Sequence, residues 1–197
     1  MDIARYLPLS QRPQVDESGV SSNWSRQAGG ILLQIAEALE AASPEDWELQ
    51  TQRPNATVRD VAHSLVRVAA SSRATRGETL DDTRSAARIR EAAIDKLTGK
   101  PRTRARTLGA ILVAGYDLTR ALGTPLSVDA TVTGAVAVAR SLTAPLEIRV
   151  VVRARTLMAT DDGWRVGFGP ELHGSAEAIV LFLYGRGILP RDVAEKR

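Results

Sequence analysis

The feature that most constrains this chain is a series of helical patterns that stops near residue 144. Five successive segments place apolar residues three or four positions apart, which is the spacing of one face of an α-helix. They are "NWSRQAGGILLQIAEALEAAS", "TVRDVAHSLVRVAAS", "ETLDDTRSAARIREAAIDKLTG", "RTRARTLGAILVAGYDLTRALG" and "SVDATVTGAVAVARSL". Because aromatic residues make up only 4% of the chain, the shared core must be mainly aliphatic. The sequence therefore predicts a helical bundle.

A different pattern begins after Thr143. "PLEIRVVVRART" alternates and is rich in β-branched residues, and "DDGWRVGFG" is typical of a turn that leads into a short strand. Together they predict a β-hairpin, and "SAEAIVLFLYGRG" predicts a short apolar helix after it. The expected fold class is α+β, with an N-terminal arm at residues 1–21, a helical bundle at 22–143 and a small α/β domain at 144–197.

The absence of cysteine excludes several chemistries. With no Cys among 197 residues, the chain has no disulfide, no thiolate metal ligand and no cysteine nucleophile, so any thiol must come from another molecule. The motifs G-x-S-x-G, the Walker loop and H-E-x-x-H are also missing. No segment has the pattern of a signal peptide or the length of a membrane span, so we expect a cytoplasmic protein without a membrane partner.

Local structure accounts for the other conspicuous polar and aromatic residues. Thr57 and Asp60 have the spacing of a capping pair at the start of the second helix. The acidic pairs Asp81–Asp82 and Asp161–Asp162 lie near predicted turns or helix starts, where capping or solvation explains them better than catalysis does. Trp47 is expected to anchor a proline-containing loop onto the core.

Nucleic-acid binding is an alternative that the sequence favours only weakly. The net charge is +3, which is a small excess of positive charge. "TVRDVAHSLVRVAASSRAT" resembles the start of a repressor-type helix-turn-helix, but no glycine turn follows the first helix where that motif needs one. Arg102, Arg104 and Arg106 precede the fourth helix, where clustered arginines are usually solvated. We therefore do not expect a nucleic-acid partner.

His63 is the principal candidate for a functional side chain. The chain has only two histidines, and the other, His173, lies in the C-terminal tail. On the second helix His63 borders the apolar face, so its ring can point into the bundle. Two interpretations stay open: a hydrogen-bonded packing residue, which is the commoner role of a lone interfacial histidine, or a metal ligand.

Three segments resemble the mycothiol-dependent maleylpyruvate isomerase family, whose N-terminal part is a DinB-like metal-binding four-helix bundle. "SPEDWELQTQRPNATVRDVAHSL" is similar to that family's Trp-containing loop, "TVRD" helix start and histidine. "ILVAGYDLTRALGTPLSVD" is similar to a stretch in which a histidine precedes an aromatic-Asp pair, and "DDGWRVGFGPELHGSAEAIVLFLYGR" to a small sterol-carrier-like C-terminal domain. The resemblance spans most of residues 42–186 and implies a DinB-like up-down bundle with a sterol-carrier-like tail.

The resemblance also implies a metal site from which this chain departs. The family is expected to hold a divalent metal with a histidine of the second helix and a Glu-His pair on a later helix, and the metal activates the sulfur of mycothiol. His63 falls on the first ligand position, but Ala110 and Ala114 replace the pair. Since a catalytic zinc needs three protein ligands, His63 alone is insufficient, and Asp117 at the next turn is a speculative substitute.

We therefore expect a catalytically degenerate relative that has no cofactor and binds a small molecule or a protein partner. The alternative is an active thiol-dependent isomerase or transferase, in which His63, Asp117 and a third group hold zinc or another divalent metal and mycothiol supplies the thiol. A homo-oligomer is compatible with either expectation.

Overall fold

The computed structural model describes residues 23–69, 80–98, 102–187 and 190–192. The predicted N-terminal arm at residues 1–21, and residues 70–79 after the helix that resembles a helix-turn-helix start, lie outside the described residues. The described part combines seven α-helices with a small β-sheet, which agrees with the expected mixture of α and β structure. No helix in those ranges combines the length and the apolar character needed to cross a membrane.

Four helices form the first part of the fold: α1 (Ser25–Glu40), α2 (Val58–Ala69), α3 (Asp82–Leu97) and α4 (Ala105–Ala121). Both α1 and α2 pack on α3 and on α4, so the four apolar faces meet in one core. The largest fully buried side chains there are aliphatic, namely Leu32, Ile35, Leu39, Leu65, Ile89, Leu108, Ile111, Leu112 and Leu118. The four predicted helices are confirmed.

Two local features fix the ends and spacing of these helices. The backbone N–H and hydroxyl of Thr57 donate to the Asp60 carboxylate at 2.9 and 3.0 Å, which confirms the predicted capping pair of α2. In α1, Gly29 lies so close to α3 that an added Cβ would be 2.9 Å from the carbonyl oxygen of Ala93.

The loop between α1 and α2 is held by Trp47. This residue lies in a 3₁₀ turn, Asp46–Glu48, and is 3% exposed, which confirms its role as an anchor.

The next two helices are α5 (Ala130–Thr143), which was predicted, and α6 (Leu146–Ala154), which was not. The predicted strand over "PLEIRVVVRART" is therefore wrong for most of its length. In α6 the buried side chains Ile148 and Val152 are four residues apart, which is a helical spacing, whereas Leu146 and Val150 are exposed. An acidic residue in the first turn and a basic residue in the last also favour this helix.

The sheet follows α6 and contains β1 (Thr156–Ala159), β2 (Arg165–Gly167), β3 (Glu171–Gly174) and β4 (Arg191–Asp192) in the spatial order β2-β1-β3-β4. β1 and β2 pair antiparallel, so the predicted hairpin exists, but its first strand begins at Thr156, the last residue of the segment "PLEIRVVVRART". β1 and β3 pair parallel, and β3 and β4 antiparallel. Helix α7 (Ala176–Leu183) confirms the predicted apolar helix.

The buried residues form two clusters that meet at α5 and α7. Val136 of α5 and Val180 of α7 belong to the cluster of the four helices. Ala137 of α5 and Ile179 of α7 belong to a second cluster with α6 and the sheet. The predicted boundary after Thr143 falls between α5 and α6, and α5 contributes side chains on both sides of it. The contact between α4 and the segment after α7 positions the candidate site.

Candidate functional site

A cavity of about 170 Å³ lies where α2 meets α4. Each helix lines the cavity with four residues at positions i, i+3, i+4 and i+7, which share one face of an α-helix. Helix α2 supplies Val61, Ser64, Leu65 and Val68, helix α4 supplies Ala110, Val113, Ala114 and Asp117, and the flanking chain supplies Arg53, Tyr184 and Arg186. The structure thus brings three of the four residues considered from the sequence, Ala110, Ala114 and Asp117, onto one wall.

His63 is not among the residues that line this cavity, since Ser64 and its helix neighbours occupy the α2 side. Its Nε2 atom is buried and has no hydrogen-bond partner within the described ranges. The ring lies near the carboxylates of Asp60 and Asp82: hydrogen bonds from Thr57 lower the pKa of Asp60, those from Arg59 lower the pKa of Asp82, and His63 adds a smaller lowering to both. His63 therefore lies on the flank of α2 that is closer to the start of α3.

Asp117 is the most deeply buried charged group of the cavity. Its side chain is 0% exposed, and its carboxylate forms an ion pair with the guanidinium of Arg186, which is 22% exposed. The contact with the guanidinium is made by Oδ2, whereas Oδ1 is buried and has no hydrogen-bond partner among the described residues, so Oδ1 is able to accept a hydrogen bond. Burial, and to a lesser degree the nearby Arg53, lowers the pKa of Arg186.

These side chains do not form a ligand set for a divalent metal. Ala110 and Ala114 have no donor atom, Asp117 is paired with a guanidinium, and His63 is not among the residues that line the cavity. Within the described ranges, no group of three or more His, Cys, Asp or Glu side chains is arranged to hold a metal ion. The other histidine, His173, lies in β3 with its Nε2 3.2 Å from a carboxylate oxygen of Glu171.

Tyr184 separates this cavity from a second one of about 540 Å³, because Tyr184 and Ala110 line both. The guanidinium of Arg140 stacks over the tyrosine ring at 4.6 Å, and its Nε donates to the carbonyl of Leu183 at 3.0 Å. Burial raises the pKa of Tyr184, and the charge of Arg140 opposes that rise. Arg140 therefore fixes the ring between the two cavities.

Comparisons of the chain with family models, with curated proteins and with solved structures find no match. The resemblance to the maleylpyruvate isomerase family accordingly stays a prediction. The acidic pairs have the structural roles expected of them: Asp81 caps α3, Asp82 pairs with Arg59, and Asp161 accepts a hydrogen bond from the first N–H of α7 at 2.7 Å. Arg102, Arg104 and Arg106 are exposed; the first two precede α4 as predicted, whereas Arg106 lies in its first turn and lines the second cavity.

Sequence reasoning missed the residues that close the site from a distance. Arg53, Tyr184 and Arg186 are far from Asp117 in the chain, and no spacing rule connects them to it. The signal nearest to them was the Gly-Arg at the end of the tail segment, which the family resemblance included without a role. Ser64 was overlooked because its neighbour His63 has the more reactive side chain.

Proposed function

We propose that this chain is a metal-independent relative of the DinB-like maleylpyruvate isomerases, and that it binds a small polar molecule in the cavity between α2 and α4. The observation that carries the proposal is Asp117, a fully buried carboxylate whose Oδ2 is ion-paired with Arg186 and whose Oδ1 has no hydrogen-bond partner among the described residues. Buried charges of this kind are costly, and they are concentrated at functional sites.

The positions of Ala110 and Ala114 support the same proposal. They lie one helical turn apart on the wall beside Asp117, where the family would place two metal ligands. Their methyl groups leave space for a ligand and supply no donor atom with which to coordinate a divalent metal. Activation of mycothiol by a metal would require donors that these positions lack.

The cavity limits the size and chemistry of the molecule it would bind. At about 170 Å³ it is smaller than the ~300–1,000 Å³ of sites for drug-sized ligands, and it holds about six waters at ~30 Å³ each. Oδ1 of Asp117 would accept a hydrogen bond from a hydroxyl or ammonium group, and Arg53 would attract a carboxylate. A small hydroxy acid satisfies both requirements.

Binding can be tested with lactate and glycerate as probes, using ligand-detected NMR and thermal shift on the full chain. We expect binding to the unaltered protein and a loss of at least about tenfold in Ala114→Leu, which fills the cavity without changing charge. Ala87→Leu, on an exposed position of α3, is the matched control and should bind normally. Equal binding by both variants would contradict the proposal.

The metal-dependent alternative has its own readouts. Elemental analysis of protein purified without added metal should find no stoichiometric zinc or nickel. Full occupancy by either metal would contradict the metal-independent assignment. Turnover of maleylpyruvate with mycothiol that is lost in His63→Ala would instead support the thiol-dependent isomerase.

A further inference from the structure

A larger groove of about 780 Å³ lies between the end of α5, helix α6 and the chain from β2 to β3. We call it the C-terminal groove, and the residues that give it its chemistry are Leu142, Arg149, Val152, Arg153, Arg165 and Phe168. It has no lining residue in common with the α2–α4 cavity. Its volume lies within the range of sites for small organic ligands, about 300–1,000 Å³.

Positive charge converges on this groove from two elements. Arg149 and Arg153 are four residues apart on one face of α6, and Arg165 begins the facing strand β2. Across the described ranges, none of these guanidinium groups is ion-paired with a carboxylate, whereas Arg90 on α3 has a bidentate partner. Glu171 also lines the groove, but its carboxylate lies 3.2 Å from His173.

Arg149 has a hydrogen-bond donor that a ligand in the groove could satisfy. Its Nε atom is buried and has no hydrogen-bond partner in the described part of the chain. A buried donor without a partner destabilises the folded protein, and such groups are uncommon in native structures. An acid group bound in the groove would accept this hydrogen bond and neutralise part of the charge.

The rim of the groove carries an exposed aromatic ring on a fixed backbone. Phe168 is 79% exposed, although its own N–H donates to the carbonyl of Val152 at 3.2 Å. Gly167 and Gly169 flank it with φ of +107°, and an added Cβ at Gly167 would collide with the carbonyl of Arg155. The backbone therefore fixes the position of this exposed ring, and Leu142, which is 73% exposed, lines the same groove.

We propose that the C-terminal groove binds a small aromatic anion. The acid group lies on Arg149, Arg153 and Arg165, and the ring of the ligand packs against Phe168 and Leu142. Apolar side chains beside a few placed charges are the usual composition of such sites. The acid group can be a carboxylate or a phosphate ester, because guanidinium groups bind both.

The test uses 8-anilinonaphthalene-1-sulfonate, an aromatic anion that fluoresces in apolar surroundings, with the full chain. Removing one charge-assisted hydrogen bond should weaken binding about tenfold, so Arg149→Met and Arg153→Met should each do so. Phe168→Ala tests the ring independently and should weaken binding by a similar factor. Arg26→Met, at an exposed position of α1 outside the groove, is the charge-matched control and should bind as the unaltered protein does.

Competition identifies the acid group and decides the proposal. Displacement of the dye by benzoate or by adenosine monophosphate, with a circular dichroism spectrum and melting temperature unchanged in the variants, supports the proposal and separates carboxylate from phosphate ester. Dye binding that is unaltered in Arg149→Met and Phe168→Ala overturns it. Equal displacement of the dye by inorganic phosphate shows that the ligand needs no aromatic ring and overturns the proposal. Stronger, steeply salt-dependent displacement of the dye by a short single-stranded oligonucleotide also overturns the proposal, in favour of a nucleic-acid surface.

Discussion

The ion pair between Asp117 and Arg186 can be tested as an isolated energetic unit. The first variant, Arg186→Met, removes the guanidinium and keeps most of the aliphatic volume, and the second, Asp117→Leu, removes the carboxylate. The third combines the two substitutions. The exposed pair Arg120–Glu177, which joins α4 to α7 itself, serves as the matched control because its side chains are 57% and 39% exposed.

The structure sets the expected magnitudes. Arg186→Met leaves a carboxylate that is 0% exposed without a counter-ion, and breaking a buried pair in this way costs about 3–5 kcal/mol. We expect about 3 kcal/mol because Arg186 is 22% exposed and its loss admits water. Asp117→Leu should cost about 1 kcal/mol, since the long arginine side chain can turn its charge towards solvent. The double variant should lie within about 1 kcal/mol of the unaltered protein, because apolar replacements of buried pairs are often neutral.

Urea denaturation followed by circular dichroism measures the four free energies of unfolding. The resulting coupling energy should be about 3 kcal/mol for Asp117 and Arg186, and at most about 1 kcal/mol for the control pair. In a protein of this size, a loss of 3 kcal/mol lowers the melting temperature by about 6–12 °C. Equal coupling energies for the two pairs would refute the conclusion that the Asp117 contact is buried and specific.

Two further predictions concern the bundle. Gly29→Ala should destabilise the protein by about 1–3 kcal/mol because its Cβ would meet the Ala93 carbonyl. Gly30→Ala, whose Cβ would have nothing within 4 Å, should instead stabilise the protein by up to about 1 kcal/mol. Melting temperatures of the two variants that shift in the same direction would contradict the packing of α1 on α3. Arg59 lowers the pKa of Asp82, so their pair stabilises the folded state above the ordinary aspartate pKa of about 3.9 and loses this effect as pH falls through the lowered value. The urea midpoint of Arg59→Met should therefore fall less steeply between pH 6 and pH 3 than that of the unaltered protein. Identical slopes in the two proteins would refute the assignment.

Helix positions were predictable because their signals are local. The capping pair of Thr57 and Asp60 and the left-handed Gly123 that follows α4 each act within a few residues. The exception is α6, in which Leu146, Ile148, Val150 and Val152 alternate in sequence as a strand would. That alternation also contains the i and i+4 positions of a helix, and packing against the second cluster selects the helical pair. Periodicity alone could not decide between them.

The composition of the candidate wall was predictable only on the α4 side. Ala110, Ala114 and Asp117 share a face whatever the helix packs against, so their meeting follows from spacing. On α2, the choice between His63 and Ser64 depends on how the helix is rotated about its axis. Adjacent helical residues differ by about 100°, and that rotation is set by contacts with α3 and α4 that the sequence does not state. The sequence therefore identified the correct helix but not the side chain that lines the cavity.

The presence of a buried ion pair in this wall is informative about function. Apolar residues of similar volume usually replace a buried ion pair with little or no loss of stability, so the requirements of the core do not explain Asp117 and Arg186. The pair does provide one unpartnered acceptor, Oδ1 of Asp117, inside a cavity that is otherwise lined largely by aliphatic groups on α2 and α4. If the double variant Asp117→Leu/Arg186→Met keeps its stability and loses lactate binding, then ligand recognition accounts for the pair. If the double variant instead binds lactate as the unaltered protein does, the pair has no part in recognition and the proposed site is wrong.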